Sequence, residues 1–265
     1  GTAGQIVFQG NNTTISTNAA DVYMVGANSA ILGHDAGGVQ HSLDNTLATN
    51  NGSLRLQQGR TFSATANSGN FTNNGLREIA DSTFTSNNLA SNGAVASFGN
   101  SVLTTSVGNQ VTGNGSIAAS FGTLTITRGV NMGTGSSMTS NAGATINLSG
   151  AVLPSQIGTL ANNGALNLGA QNIVVNQDYT NANFGSGNSF NHRADVTGGG
   201  LVLAAGDVSQ AIAGAVSGGT STTPVISFGI VHVGSNTTLN YQIANTGTTG
   251  PSLRGAIQTS INGGN

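Results

Sequence analysis

A chain of 265 residues with no cysteine, lysine or tryptophan, 5 % charged residues and a formal net charge of −2 excludes much chemistry before any motif is read. Disulfides, thiolate metal sites, Schiff-base or phosphate-loop lysines and Lys–Asn cross-links lack the residues to form, and no field steers the chain to nucleic acid or an anionic membrane. Apolar residues at 37 % and aromatics at 5 % leave a thin core of Leu, Ile, Val, Ala and a few Phe, which suits a coil whose interior is one side chain wide.

Residues 1–46 carry short strand signals at Gln5-Ile-Val-Phe8, Asp21-Val-Tyr-Met-Val25 and Ser29-Ala-Ile-Leu32, with corners at Asn11-Asn12 and Gly33. They read as an N-terminal cap or opening coils of imperfect period. The same stretch gathers Asp21, His34, Asp35, His41 and Asp44, residue types that bind divalent cations. His34 and His41 are spaced neither as a helical i,i+4 pair nor as a strand i,i+2 pair. The group therefore reads as surface polar residues, and neither metal nor cofactor is expected.

From residue 47 to 222 one phrase recurs: an apolar residue, small polar residues, an Asn-Gly or Asn-Ala-Gly corner, then an alternating apolar strand. The corners are Asn51-Gly52, Asn74-Gly75, Asn92-Gly93, Asn114-Gly115, Asn141-Ala-Gly143 and Asn163-Gly164, their glycines 23, 18, 22, 28 and 21 residues apart. A period near 20 with β alternation predicts a solenoid in which each repeat is one coil, and disordered chains do not space Ile, Leu and Val this way. Glycine at a corner suggests φ > 0, and Asn is among the few other residues that enter the left-handed region. Asn51, Asn74, Asn92, Asn114 and Asn163 are expected to stack in register, although any single Asn-Gly also fits a two-residue hairpin. Ile117, Ile146 and Leu166 are expected inside. Roughly 200 residues in coils near 22, at ~4.8 Å per layer, predict about nine layers and a rod on the order of 45 Å.

An ice-binding face requires Thr repeated on one flat side of successive coils. Thr123, Thr125 and Thr127 supply one rung, but the outward position between paired core residues reads Arg55, Thr125, Asn147 and Asn167, so the array is not sustained. A second polar group, Asp178, His192, Arg193 and Asp195, includes two carboxylates that fall on neighbouring coils if the period holds. That arrangement is the minimum for polysaccharide cleavage. Surface capping is the simpler role, so no catalytic residue is assigned.

The phrase from Leu47 to Leu168 resembles the right-handed parallel β-helix of bacterial surface and secreted proteins, including autotransporter passengers and filamentous-haemagglutinin-type adhesins. After Pro224 the character changes. Val225-Ile-Ser-Phe-Gly229-Ile-Val-His-Val-Gly234 and Asn240-Tyr-Gln-Ile-Ala-Asn245-Thr-Gly247 resemble the start of the immunoglobulin-like domains, of abnormal-spindle and Hydin type, in bacterial choice-of-anchor D proteins. Such a sandwich needs about seven strands in roughly 100 residues. Either the natural chain continues beyond Asn265 or another chain completes the sheet.

These resemblances imply an all-β fold: a cap over 1–46, a right-handed parallel β-helix over 47–222 and a partial immunoglobulin-like β-sandwich over 223–265. They imply an extracellular structural or adhesive protein of a bacterial cell surface or biofilm matrix, rather than an enzyme. It would associate with itself head to tail and contact glycans or host or neighbouring cell surfaces, without inserting into a membrane. The chain opens on Gly1, which reads as a processed or excised piece, and its Lys-free Asn/Thr/Ser surface suggests bacterial export. The alternative is a polysaccharide-active β-helix enzyme using the group from Asp178 to Asp195.

Overall fold

Period-two alternation becomes three flat faces per coil. The computed structural model describes residues 4–64, 70–150, 155–169, 173–177, 179–181, 196–197 and 202–204. In a representative coil the chain runs through Asn70–Asn73, turns into Leu76–Ala80 and turns again into Thr83–Ser86. Each strand pairs in parallel with its counterparts one coil before and one coil after. Three parallel sheets result, of nine, eight and seven strands, here termed faces 1, 2 and 3. The fold is a parallel β-solenoid, as the repeat predicts. The expected sandwich after residue 222 lies outside the described residues.

The interior is a set of stacked columns. On face 3 Phe62, Phe84, Leu103, Ile126 and Leu148 lie in one file, with Ser101, Leu124, Ile146 and Leu166 beside it. Face 2 contributes Leu54, Val95, Ile117, Met138 and Leu160, and face 1 contributes Phe71, Leu89, Val111 and Val130. The expected inward residues Ile117, Ile146 and Leu166 are all buried. Aromatics concentrate in the early coils, where Phe62 stacks on Phe84 at 5.6 Å between centroids and Phe71 meets Phe84 edge-on at 5.0 Å.

Face 3 has no strand in the first coil. Its place is taken by the strands Ala30–His34 and Gln40–Ser42 and by one helical turn, Leu43–Thr46, packed on Thr61–Ala64. Leu43 and Leu47 close the apolar column there, and Arg60 reaches back to Asp44. This lid is where the chain departs from the period.

Two expectations about the corners need correction. First, the six corner phrases do not share one edge. Gly52, Gly75, Gly93 and Gly115 lie between faces 1 and 2, whereas Asn141 to Gly143 and Asn163-Gly164 lie between faces 2 and 3. The 28-residue step is one coil plus one face, and Asn163 therefore stacks near Asn141 rather than over Asn114. Second, the corner glycines are not left-handed, Gly143 excepted (φ +79°). Their need for hydrogen comes from stacking: a Cβ on Gly75 would strike the Gly52 carbonyl, one on Gly93 that of Gly75, and one on Gly115 that of Gly93. We expect Gly93→Ala to force these layers apart, at a cost of about 1–3 kcal/mol, typical of overpacking. Urea unfolding of the two proteins measures it.

Asparagine at the corners serves as ladder rather than turn. Asn74 Nδ2 donates to Asn51 Oδ1 at 2.9 Å, and Asn92 Nδ2 to Asn74 Oδ1 at 3.0 Å, on the outside. One residue earlier a second file runs inside, Asn18 Nδ2 to Asn50 Oδ1 and Asn50 Nδ2 to Asn73 Oδ1, both at 2.8 Å. Each buried Nδ2 also donates to a backbone carbonyl, for example Asn50 to Leu76 at 2.9 Å. With both amide hydrogens placed, the desolvation cost of these groups is offset.

Candidate contact faces

The solenoid uses its backbone polar groups in the ladders between coils, so its outer chemistry is that of outward side chains. Face 2 carries the charge. Arg55 Nε donates to Asp21 Oδ1 at 3.1 Å and Arg55 Nη1 to Glu78 Oε2 at 3.2 Å, while Gln57 Nε2 donates to Glu78 Oε1 at 3.0 Å. Further along, the outward positions of this face turn small, at Ala94, Ala96 and Ala118. At its edge Phe98 and Phe121 meet edge-on at 5.7 Å, Phe121 largely exposed.

Face 3 is different. Its outward positions form one file of Thr61, Thr83, Val102, Thr125, Asn147 and Asn167. A parallel file two residues on holds Ser63, Thr85 and Thr104, then Thr127 and Ser149. None of these residues is charged or aromatic. The expected break in the threonine array is present, at Val102 and then at Asn147 and Asn167, but Arg55 is no part of it. Arg55 belongs to face 2, in register with Tyr23 and Glu78, and never interrupts the files of face 3. Unequal coils, with steps of 23, 18 and 22 residues along Leu54, Arg77, Val95 and Ile117, hide this register from the sequence.

The N-terminal polar group is dispersed. Asp21 pairs with Arg55 and Asp44 with Arg60, while His34 Nδ1 lies 3.0 Å from the Phe8 carbonyl. Asp35 and His41 remain together at 3.0 Å. Among the described residues no three His, Asp or Glu side chains converge on a metal position. Asp35 Oδ1 also accepts the amides of Gly37 and Val39, each at 2.9 Å. The His41 hydrogen bond foremost, then the Val39 amide, holds the Asp35 carboxyl below its ordinary value of 3.8. A depressed carboxylate stabilises its loop above the unfolded value and stops doing so as pH falls through the folded one. We expect the Gly37 and Val39 amide resonances to shift together only below about pH 4, and Asp35→Asn to remove that titration.

Sequence reasoning missed Arg77. It sits in the inward file of face 2 between Leu54 and Val95, 0 % exposed, its guanidinium carbon 3.8 Å from the Phe84 ring centroid and 4.5 Å from that of Phe71. None of its three nitrogens has a hydrogen-bond partner, and burial pulls its pKa down to about 9. The signal was present, since Ile79 faces inward and alternation puts Arg77 on the same side. Asp178, His192, Arg193 and Asp195 lie outside the described residues.

Family models, curated proteins and solved structures were all compared with this chain, and none matches it.

Proposed function

We propose that this chain is a non-enzymatic, extracellular structural or adhesive protein of a bacterial cell surface or biofilm matrix, working through the outside of a right-handed β-solenoid. The observation that carries the reading is the pairing of a continuous apolar core with uncharged outward files, those of face 3 and the file Thr49, Thr72, Ala90, Thr112 and Asn131 of face 1. A ladder in which each coil is held by two neighbours resists local opening and proteolysis. Asn, Thr and Ser side chains then offer neutral hydrogen bonds to glycans or to host or neighbouring cell surfaces. Among the described residues no helix is long and apolar enough to cross a membrane.

Self-association end to end belongs to the same reading. Among the described residues the strand Gln5–Val7 pairs on one side only, with Ala30–His34, and Ile6, Val7 and Phe8 along it are exposed. An apolar end with a free strand edge favours pairing with another chain, and the strand-like sequence after Pro224 is the complementary partner proposed here.

Three experiments test this. Beads carrying the protein should be retained on bacterial or epithelial layers under flow, and equal loss of both kinds of retention against albumin-coated beads would refute adhesion. Cleavage of any acidic or neutral polysaccharide, abolished by Asp178→Asn or Asp195→Asn, would refute the non-enzymatic reading. Negative-stain images should show filaments of the full chain and separate rods after deletion of 224–265. Single particles of the full chain at every concentration would remove the polymer.

A further inference from the structure

We propose that face 3 binds ice, the outward hydroxyl and methyl groups of its coils from Thr61 to Thr125, ahead of Asn147 and Asn167, ordering a first layer of water that a growing ice surface continues. This deepens the reading of the solenoid as a contact protein and rests on it in one respect, that the outside of the coil is the working surface.

Three properties of the face support this occupant. The first is two-dimensional regularity. Neighbouring strands repeat about every 4.8 Å and alternate residues about every 6.6 Å, so the files through Thr83 and Thr85 form a flat lattice rather than a line. Thr123 and Thr145, paired across adjacent coils, extend it by a third file. The second is stiffness. Threonine is β-branched and restricted about χ1, so stacked threonines hold hydroxyl and methyl in a repeated orientation, and the ordering entropy of such a face is already lost on folding. Val102 keeps the branched shape without the hydroxyl. Thr127 Oγ1 is covered by its neighbours and adds nothing to the array.

The third property is what the face lacks. No charged side chain stands in either file, so no ion holds a hydration shell incompatible with a crystal of water. No aromatic ring stands in the files either: Phe62 and Phe84 point into the core, and the exposed Phe121 lies at the corner just before Gly122. A crystalline polysaccharide, bound by ring stacking on aromatic side chains, therefore fits this face less well than ice. Face 2 is a built-in contrast, with Asp21, Arg55 and Glu78 across its early coils.

The test uses the full chain, fluorescently labelled, during slow growth of an ice hemisphere from a dilute solution, with albumin as the excluded control. The protein should be enriched in the ice, and Thr85→Lys or Thr125→Lys should reduce that enrichment at least tenfold. Ala96→Lys and Ala118→Lys on face 2 should leave it unchanged. Circular dichroism melts confirm that each variant is folded. Exclusion of the unaltered chain from ice overturns the proposal, as does an equal loss from the face 2 variants. Retention on powdered cellulose or chitin that Thr85→Lys abolishes, without entry into ice, reassigns the face to a carbohydrate crystal and also overturns it. If the protein is excluded from ice yet its beads still hold to cells, the ice inference alone fails.

Discussion

Ile146→Asp is expected to yield no folded protein. Ile146 is 0 % exposed and lies in register between Leu124 of the preceding coil and Leu166 of the next, with apolar side chains above and below. An aspartate there has no cation within the column and no water to solvate it. It must carry an unpaired charge into a dry interior or take up a proton, at a cost of several kcal/mol either way. A solenoid feels the loss on both sides, because each coil is stabilised chiefly by its neighbours. The matched control is Asn147→Asp, one residue on, where the side chain points out from face 3. That variant should retain the far-ultraviolet β signal and resist protease like the parent, whereas Ile146→Asp should be insoluble or rapidly digested. A soluble, protease-resistant Ile146→Asp would contradict the inward file itself.

The contrast between residues 146 and 147 shows which features were legible in the sequence. Alternation fixes which side of a strand is apolar, so the buried set at Ile117, Ile146 and Leu166 and the parallel β-solenoid follow from the one-dimensional pattern. Which face a strand belongs to does not, because an Asn-Gly corner is chemically the same wherever the coil turns. The phrase could therefore pass from the first corner at Gly115 to the second at Gly143 with only a long spacing as trace. For the same reason Arg55 aligns with Thr125 in the sequence although they stand on different faces, whereas Asn147 and Asn167 do share the file of Thr125. The buried Asn50–Asn73 file was hidden by a different cause. A polar residue reads as exposed unless its partner is known, and that partner lies a full coil away. The glycine rule failed in mechanism rather than in position: hydrogen is needed at Gly75 and Gly93 because carbonyls of the previous coil press on them. The polar residues of the lid, Asp35 and His41, pair through a local loop that no period describes.

Arg77→Met is expected to stabilise the protein, by about 1–4 kcal/mol on the scale seen when buried ionic groups give way to apolar ones. The guanidinium has lost its hydration, and Nε, Nη1 and Nη2 make no hydrogen bond. The rings of Phe71 and Phe84 compensate in part, since a desolvated cation–π contact is worth about 2 kcal/mol, less than the several kcal/mol of removing an ion from water. Methionine keeps an unbranched chain between Leu54 and Val95 without the charge. The pH dependence gives an independent check of sign. The unfolded chain keeps the Arg77 proton to a far higher pH than the folded chain, which releases it near 9. Below about 9 both states are protonated, so this group contributes no slope and the penalty is present in full. Above it the unfolded state binds more protons, so stability rises with pH. Urea midpoints from pH 7 to 10.5 should therefore climb for the parent relative to Arg77→Met, a comparison in which tyrosine ionisation, common to both, cancels. A variant less stable than the parent at pH 7, with no divergence at high pH, would mean that the guanidinium is paired in solution and that the column around Phe84 is not dry.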